Sequence, residues 1–214
     1  ALGTGIVTLP IDDPVRVAED AAFVEALSSG RVQLGIGTGG TPSSFAAFER
    51  SSDDRRAIQA AHVEVLRDAF AGRGIRNTDL RLNPPAPYLG GRLWQATFSV
   101  DGGRRAGAAG DGLLLSRTQP RDDGHDLHEV QVPIVEAYLA ALPRGVAPRI
   151  LTSRTAVVVD ADRRGAVRRC LDHLDALRPA NLELRAERLA LDRRDRRVLG
   201  LGQLDHQSTA QRNE

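Results

Sequence analysis

The segment that decides the fold is LWQATFSVDGGRRAGAAGDGLLLS, which spans residues 93–116. Its apolar start, Leu93–Phe98, is short enough for a buried parallel strand, and Gly112–Ser116 has the same character. Between them, Ser99 and two adjacent glycines lead into a helix predicted over residues 102–109. Glycine lets a ligand approach the backbone closely, and unpaired N–H groups at a helix start carry partial positive charge. The segment therefore predicts an anion-binding turn between two strands.

The same alternation of strands and helices continues on both sides of this segment. Parallel neighbours need long crossover connections, which are usually helices, so five strands alternating with helices predict a parallel sheet. The sheet belongs either to an open doubly wound fold or to part of a (β/α)8 barrel. The other predicted strands are Gly3–Leu9, Val32–Gly37 and Ile150–Val159; the other predicted helices are Pro14–Leu27, one capped near Ser52 that ends at Gly72, one containing Ile134 and Leu142, and Asp162–Leu177.

Composition fits one packed domain and argues against several classes of partner. The chain has 214 residues, of which 41% are hydrophobic, and its formal net charge is +1. This balance argues against a nucleic acid or an anionic membrane as partner, and no apolar run approaches the roughly 20 residues of a membrane span. The single cysteine, Cys170, excludes an internal disulfide framework. A cytoplasmic location is the default expectation.

Gly35–Gly40 offers a competing interpretation, because the hexapeptide GIGTGG satisfies the dinucleotide pattern G-x-G-x-x-G. A dinucleotide site needs a helix that starts at the third glycine and an acidic residue about 20 positions later, at the end of the next strand. Here Thr41-Pro42 interrupts the helix start, and the acids at that distance, Asp53 and Asp54, open a helix. We therefore expect no nicotinamide dinucleotide to bind at this segment.

Four segments in a characteristic order and spacing give the chain a family resemblance. They are Pro14–Asp20 (PVRVAED), Ser29–Arg31 (SGR), Leu34–Gly40 (LGIGTGG) and Ser99–Gly112. Together they resemble the bacterial luciferase-like monooxygenases over about residues 2–159. Within that superfamily, residues 93–116 and the following Arg117–Pro120 (RTQP) are most similar to a subgroup of FMN-dependent enzymes of unassigned substrate.

The resemblance implies an α/β fold, a (β/α)8 TIM barrel of the luciferase-like type with its site at the carboxyl ends of the strands. It also implies an incomplete barrel that starts at the third barrel strand and ends near the seventh, since a complete barrel takes about 250 residues. We therefore expect a partial barrel domain over residues 1–179 and a charged C-terminal tail over residues 180–214. The family's best-known catalytic histidine precedes the third strand, so the catalytic residue stays unknown.

The resemblance also implies which residues bind the flavin. The turn after Phe98 matches the family's phosphate position, where Ser99 would contribute its hydroxyl and the two glycines their N–H groups. Many relatives place an arginine near the phosphate at the position that Thr38 occupies here. The residue at the mouth of the first strand would face the flavin ring. The expected cofactor-binding residues are Thr8, Thr38, Gly39, Thr97, Ser99, Gly102 and Gly103.

The activity implied by the resemblance is monooxygenation of a small organic substrate with reduced FMN and oxygen. A separate flavin reductase would deliver the reduced cofactor, and a homodimer is one assembly that the resemblance allows. Two alternatives stay open. One is a deazaflavin-dependent oxidoreductase that transfers hydride on the same barrel, since Thr38 supplies no cation for a phosphate. The other is an inactive partial barrel.

Two further groups of polar residues receive structural interpretations. His125 and His128 lie near Asp126 and Glu129, but a loop with two histidines and two acids lacks the spacing of metal ligands, so we expect no metal site. Asp111 lies between two glycines just before a strand, and we interpret it as a structural turn acid.

Overall fold

A parallel β-sheet with helices between its strands is the centre of the fold. The computed structural model describes residues 1–121 and 125–154. The chain divides into two compact units, one of residues 1–120 and 127–154 and the other of residues 121–126 and 155–214. All strands and helices of the described residues belong to the first unit.

Six strands of the described residues form the sheet, in the order β1, β3, β4, β5, β6, with β2 also paired to β3. Every pairing is parallel, as between Leu34 and Leu93, which confirms the predicted parallel sheet. The strands are β1 Leu2–Gly3, β2 Val7–Thr8, β3 Val32–Gly37, β4 Leu93–Ala96, β5 Gly112–Leu115 and β6 Ile150–Thr152.

Helices connect these strands. The first begins as predicted: Asp13 caps it by accepting a hydrogen bond from the Val15 N–H at 2.8 Å, and Pro14 occupies its first position. No helix in the described part of the chain is long and apolar enough to cross a membrane. The α-helices are α1 Pro14–Leu27, α2 Pro42–Ala47, α3 Arg55–Phe70, α4 Val100–Ala108 and α5 Leu127–Ala141; two short 3-10 helices are Ile75–Asn77 and Pro87–Arg92.

The predicted first strand, Gly3–Leu9, is wrong as a continuous element, because residues 4–6 separate β1 from β2. Both short strands pair with β3. The Thr4 hydroxyl accepts a hydrogen bond from the Gly35 N–H at 2.9 Å and donates one to the Gly35 carbonyl at 2.8 Å. The side chain thus satisfies both polar groups of Gly35, which a continuous ladder would otherwise satisfy.

The other predicted elements agree in type and differ in their ends. The predicted strands 93–98 and 112–116 are too long, because β4 stops at Ala96 and β5 at Leu115. α3 starts at Arg55 beyond the predicted cap at Ser52, and α4 starts at Val100 rather than Gly102, since Ser99 caps it. Residues 150–152 of the predicted strand 150–159 are observed; residues 155–159, the helix 162–177, Cys170 and the boundary at 179/180 lie outside the described residues.

Two clusters of buried apolar side chains hold the helices against the sheet. One joins α1 and α3 to β3 and β4 and includes the fully buried Ile36 and Leu66. The other joins α4 and α5 to β5 and includes Leu113 and Tyr138, also fully buried. Burying a side chain such as leucine or isoleucine contributes about 1.5–3 kcal/mol. These contacts hold α1 and α3 on one part of the sheet and α4 and α5 on another.

α4 and α5 pack closely because α4 carries glycine at the contact. Gly103 and Gly107 are buried one helical turn apart. A Cβ built on Gly103 would lie 2.6 Å from the Ile134 carbonyl oxygen, and one built on Gly107 would lie 3.0 Å from the Tyr138 carbonyl carbon. The two helix backbones thus approach to a distance that only glycine permits.

Asp111 is a buried ion-pair partner rather than the predicted turn acid. Its side chain is 2% exposed, and its Oδ2 accepts hydrogen bonds from Arg67 Nη2 at 2.7 Å and Gln95 Nε2 at 2.6 Å. The backbone carbonyl of Asp111 accepts a further bond from the Tyr138 hydroxyl at 2.9 Å. Folding brings Arg67 of α3 next to the start of β5, which the local sequence of the turn does not indicate.

Asp111 should make the stability of the fold depend on pH. Burial raises its pKa above the ordinary 3.8, although the Gln95 hydrogen bond and the Arg67 charge act in the opposite direction. The folded chain then holds this proton more tightly than the unfolded chain does. The contribution of protonated Asp111 to the free energy of unfolding is complete below pH 3.8. It is lost as pH rises through the pKa of Asp111 in the folded chain. We expect Asp111→Asn to remove that part of the decline.

Urea unfolding at a series of pH values from 3.8 upward measures this effect as the difference between parent and variant. Asp68→Asn is the control, because Asp68 forms an ion pair with Arg73 in which both side chains are well exposed. Identical pH slopes for the parent and Asp111→Asn would contradict the assignment.

Candidate functional site

The carboxyl ends of four neighbouring strands meet along one edge of the sheet. The register aligns Thr8, Gly37, Ala96 and Leu114 across β2, β3, β4 and β5. Hydroxyl side chains stand at this row or just beyond it: Thr8, Thr38, Thr97 and Ser116. Parallel α/β folds build their sites at this edge of the sheet. These four side chains can form hydrogen bonds, but none of them is a carboxylate or an imidazole that could act as a general acid or base.

The turn between β4 and α4 carries several hydrogen-bonded polar groups at this edge. Ser99 is the N-cap of α4, and its Oγ accepts a hydrogen bond from the Gly102 N–H at 3.1 Å. The Ser99 N–H donates to Thr97 Oγ1 at 3.1 Å, and the two hydroxyls lie 3.3 Å apart. The structure thus brings the predicted residues Thr97, Ser99 and Gly102 together in one turn.

The N–H groups of this turn are distributed differently from the sequence-based expectation. Gly103 donates its N–H to the Ser99 carbonyl at 3.0 Å, and Gly102 donates to the Ser99 hydroxyl, so neither is free for a ligand. Within the described residues, the N–H groups of Val100 and Asp101 have no acceptor. They are the first two of the unpaired N–H groups at any helix start. An anion at this turn would bind there.

The two glycines of the turn, Gly102 and Gly103, are required for different structural reasons. A Cβ on Gly102 would overlap the Thr97 hydroxyl and lie 3.1 Å from Ser99 Oγ, so this glycine makes room for the two hydroxyls. Gly103 instead faces Ile134 of α5, as described above. The physical reason for the second glycine is therefore helix packing.

Charged side chains near the turn form ion pairs with one another. Asp101, in the first turn of α4, would repel an anion, but it forms ion pairs with Arg104, at 3.1 Å, and with Arg105. All three side chains are more than half exposed, so the pairs contribute little to stability. The three side chains together leave one net positive charge, which adds to the partial positive charge of the helix dipole.

Thr8 and Gly39 form a second contact at the same edge. Gly39 has a φ of +70°, and a Cβ there would lie 2.6 Å from Thr8 Cγ2 and 3.1 Å from Phe45 Cε2. Phe45 is 1% exposed, so α2 closes over these residues. Thr38, between β3 and Gly39, is half-buried. The structure places Thr8 on β2, and Thr38 and Gly39 directly after β3, the neighbour of the strand from which the Ser99 turn starts.

The Gly35–Gly40 segment lacks the geometry of a dinucleotide clamp. Gly37 is the last residue of β3, where a Cβ would be 3.4 Å from the Ala96 Cβ. The following helix, α2, begins at Pro42 and not at the third glycine. The next strand along the chain, β4, ends at Ala96 without an acidic residue. The segment therefore lacks the helix start and the acidic residue that a dinucleotide clamp needs.

Sequence reasoning missed Gln119, which adjoins the Ser99 turn. Its Nε2 donates to the Phe98 carbonyl at 3.2 Å, and its side-chain oxygen Oε1 is buried without a partner among the described residues. A carbonyl only accepts, which fixes Nε2 on that side. The buried Oε1 is therefore an acceptor available to a hydroxyl or N–H. Nothing in the tetrapeptide RTQP, residues 117–120, indicates this contact.

A second glutamine that the sequence did not indicate, Gln131, binds the loop that carries Gln119. Gln131 of α5 donates to the Ser116 carbonyl at 2.9 Å and accepts from Arg154 Nη2 at 2.8 Å. The Arg117 N–H donates to Ser153 Oγ at 2.8 Å. These bonds tie the loop after β5 to α5 and to the residues after β6.

Comparison with known proteins identifies this type of fold. A family model described as luciferase-like monooxygenase matches residues 1–213. Monooxygenase RslO1 from Streptomyces bottropensis superposes with a TM-score of 0.64 at 22% identity, over 93% of this chain and 60% of that one. The oxygenating constituent of 3,6-diketocamphane monooxygenase from Pseudomonas putida, solved in complex with FMN, gives 0.57 at 17% identity, over 79% of this chain and 52% of that one.

A sequence relative points the same way. The 4-hydroxyprotoasukamycin monooxygenase of Streptomyces nodosus subsp. asukaensis is 35% identical over 71 residues, which cover 33% of this chain and 19% of that enzyme. The chain spans about 60% of the length of RslO1, so its parallel sheet corresponds to part of a luciferase-like barrel, as predicted. Because the family model matches residues 1–213, the chain belongs to the luciferase-like monooxygenases.

Proposed function

We propose that this chain provides the FMN-binding part of a monooxygenase that acts on a small organic substrate and receives reduced flavin from a separate reductase. The observation that carries the proposal is the turn of Thr97 and Ser99, whose hydroxyls lie 3.3 Å apart beside two free N–H groups at the start of α4. A helix start of this kind suits a phosphate. The FMN complex of the diketocamphane monooxygenase, which shares the fold, supports the choice of cofactor.

The residues present fit FMN. The N–H groups of Val100 and Asp101 and the hydroxyls of Thr97 and Ser99 would hold the phosphate, and Gly102 leaves room for both hydroxyls beside the helix start. The orphaned Gln119 Oε1 offers an acceptor for a hydroxyl of the cofactor. FMN, when bound, supplies the redox chemistry with oxygen that these side chains lack.

This chain's own residues would orient the ring and exclude water. Thr8, Thr38 and Gly39 lie at the neighbouring strand ends, where the flavin ring would be placed, and the buried Phe45 shields that side from solvent. Removing water strengthens the electrostatic interactions inside such a site. No general acid or base is assigned to this chain.

Flavin titration tests the proposal. We expect Ser99→Ala to weaken FMN binding about tenfold to a hundredfold, since a hydrogen bond to a charged group contributes about 1.5–3 kcal/mol. Riboflavin, which lacks the phosphate, should bind the parent and the variant equally. Quenching of flavin fluorescence measures both affinities.

Ser51→Ala is the matched control, because the Ser51 hydroxyl also accepts a local N–H bond, from Asp53 at 3.1 Å, outside the turn. Equal FMN affinity in Ser99→Ala and the parent would show that the phosphate does not bind at this turn. Tighter binding of a deazaflavin than of FMN would favour hydride transfer instead, and binding of neither would favour an inactive partial barrel.

A further inference from the structure

A cleft of about 320 Å³ lies at the start of α1, away from the Ser99 turn. It reaches the lower end of the range of small-molecule pockets, about 300–1,000 Å³. Three connecting segments and one face of α3 converge on it. The cleft is lined by Pro10, Asp12, Asp13, Arg50, His62 and Arg76, with Ile58 beside them.

The imidazole of His62 is held in one orientation. Its Nδ1 lies 3.0 Å from the Leu9 carbonyl oxygen, and the ring is half-buried. Because a carbonyl only accepts hydrogen bonds, Nδ1 carries the proton. In the neutral ring, Nε2 is then an acceptor, available to a ligand that donates a hydrogen bond.

Asp13 and Arg76 form a pair that leaves the Arg76 guanidinium with spare donors. Asp13 Oδ1 accepts from the Val15 N–H and Oδ2 from Arg76 Nη2 at 2.9 Å, so both oxygens are occupied. Partial burial acts to raise the pKa of Asp13, but these two bonds outweigh it and hold the pKa below its ordinary value. The carboxylate therefore stays ionised and neutralises one unit of positive charge in the cleft.

Asp12 adds one negative charge to the cleft, and Arg50 adds one positive charge. Neither takes part in an ion pair within the part of the chain that the structure describes. Pro10 and Ile58 add an apolar wall, and Pro10 is buried. A ligand with one anionic group, one cationic group and an apolar portion is complementary to this arrangement.

We propose that the cleft binds a small zwitterion with an apolar side chain, of the chemical class of the aliphatic α-amino acids. Its carboxylate would bind Arg50 and the spare donors of Arg76, its ammonium would donate to Asp12 and His62 Nε2, and its side chain would contact Ile58. A guanidinium recognises a carboxylate with two parallel hydrogen bonds, which gives the site its orientation. The cleft has none of the proposed flavin-binding residues in its lining, and Pro10 lies two residues after Thr8.

The test is a titration of the 15N-labelled 214-residue chain, followed by amide and imidazole chemical shifts. L-Leucine is the probe, isocaproate lacks its ammonium group, and isopentylamine lacks its carboxylate. We expect saturable shifts around His62 with leucine and affinities about tenfold weaker for each of the other two. Equal binding of leucine and isocaproate, or no shift at His62 at tens of millimolar leucine, would overturn the proposal.

Variants at the two unpaired charges complete the test. Arg50→Gln and Asp12→Asn should each weaken leucine binding about tenfold, and both side chains are exposed, so the fold should persist. Arg16→Gln is the matched control, because Arg16 is 78% exposed and its ion pair among residues 1–121 and 125–154 is with Glu19 on its own helix. Unchanged leucine affinity in Arg50→Gln, or an equal loss in Arg16→Gln, would show that the cleft is not the binding site.

Discussion

Replacing Arg67 with alanine should lower the free energy of unfolding by about 3–5 kcal/mol, because removal of one partner leaves the other as a buried charge. Asp111, 2% exposed, would keep only the Gln95 amide on the oxygen that Arg67 now contacts at 2.7 Å. The loss should shrink at acid pH, where Asp111 can take up a proton. Urea unfolding of parent and variant at neutral and acid pH measures both effects.

The matched control is Arg73→Ala. Arg73 also forms an ion pair with an aspartate, Asp68, at 2.6 Å, but the two side chains are 60% and 39% exposed. Exposed pairs contribute about 0–1 kcal/mol, so this variant should remain close to the parent. Similar losses in the two variants would mean that the Arg67–Asp111 pair has no special role.

Gly103→Val should destabilise the fold by about 3 kcal/mol, at the upper end of the usual range for overpacking. The new Cβ would lie 2.6 Å from the carbonyl oxygen of Ile134, and a backbone atom of a packed helix cannot rotate away. Valine is a better helix former than glycine, but that gain is below about 1 kcal/mol. The clash therefore dominates, and α4 must separate from α5. Thermal and urea unfolding measure the loss.

Gly91→Val provides the control, since Gly91 is exposed and a Cβ there meets nothing within 4 Å. Its effect should stay within about 0.5 kcal/mol. A Gly103→Val variant as stable as the parent would contradict the packing assignment and return Gly103 to the phosphate turn as a residue that needs space for a ligand.

The sequence by itself determined the elements and the place of the candidate turn. Apolar periodicity and caps act between residues that are neighbours along the chain, so Asp13-Pro14 predicted the start of α1 and the Thr97–Gly102 stretch predicted a turn between a strand and a helix. The alternation of strands and helices fixed the parallel sheet, because parallel strands require crossovers. The family resemblance, carried by four short segments, led to the type of barrel.

Only the tertiary structure decided what individual side chains do. Gly103 looked like part of the phosphate turn until α5 was seen against it, and Asp111 looked like a turn acid until Arg67 approached from α3. The amide of Gln119 joins the Ser99 turn from a different loop. In each case the contacting residue is distant along the chain. The local sequence around a residue does not indicate which distant segment packs against that residue. For Asp111, burial of the carboxylate then favours the contact, because buried polar groups are usually paired.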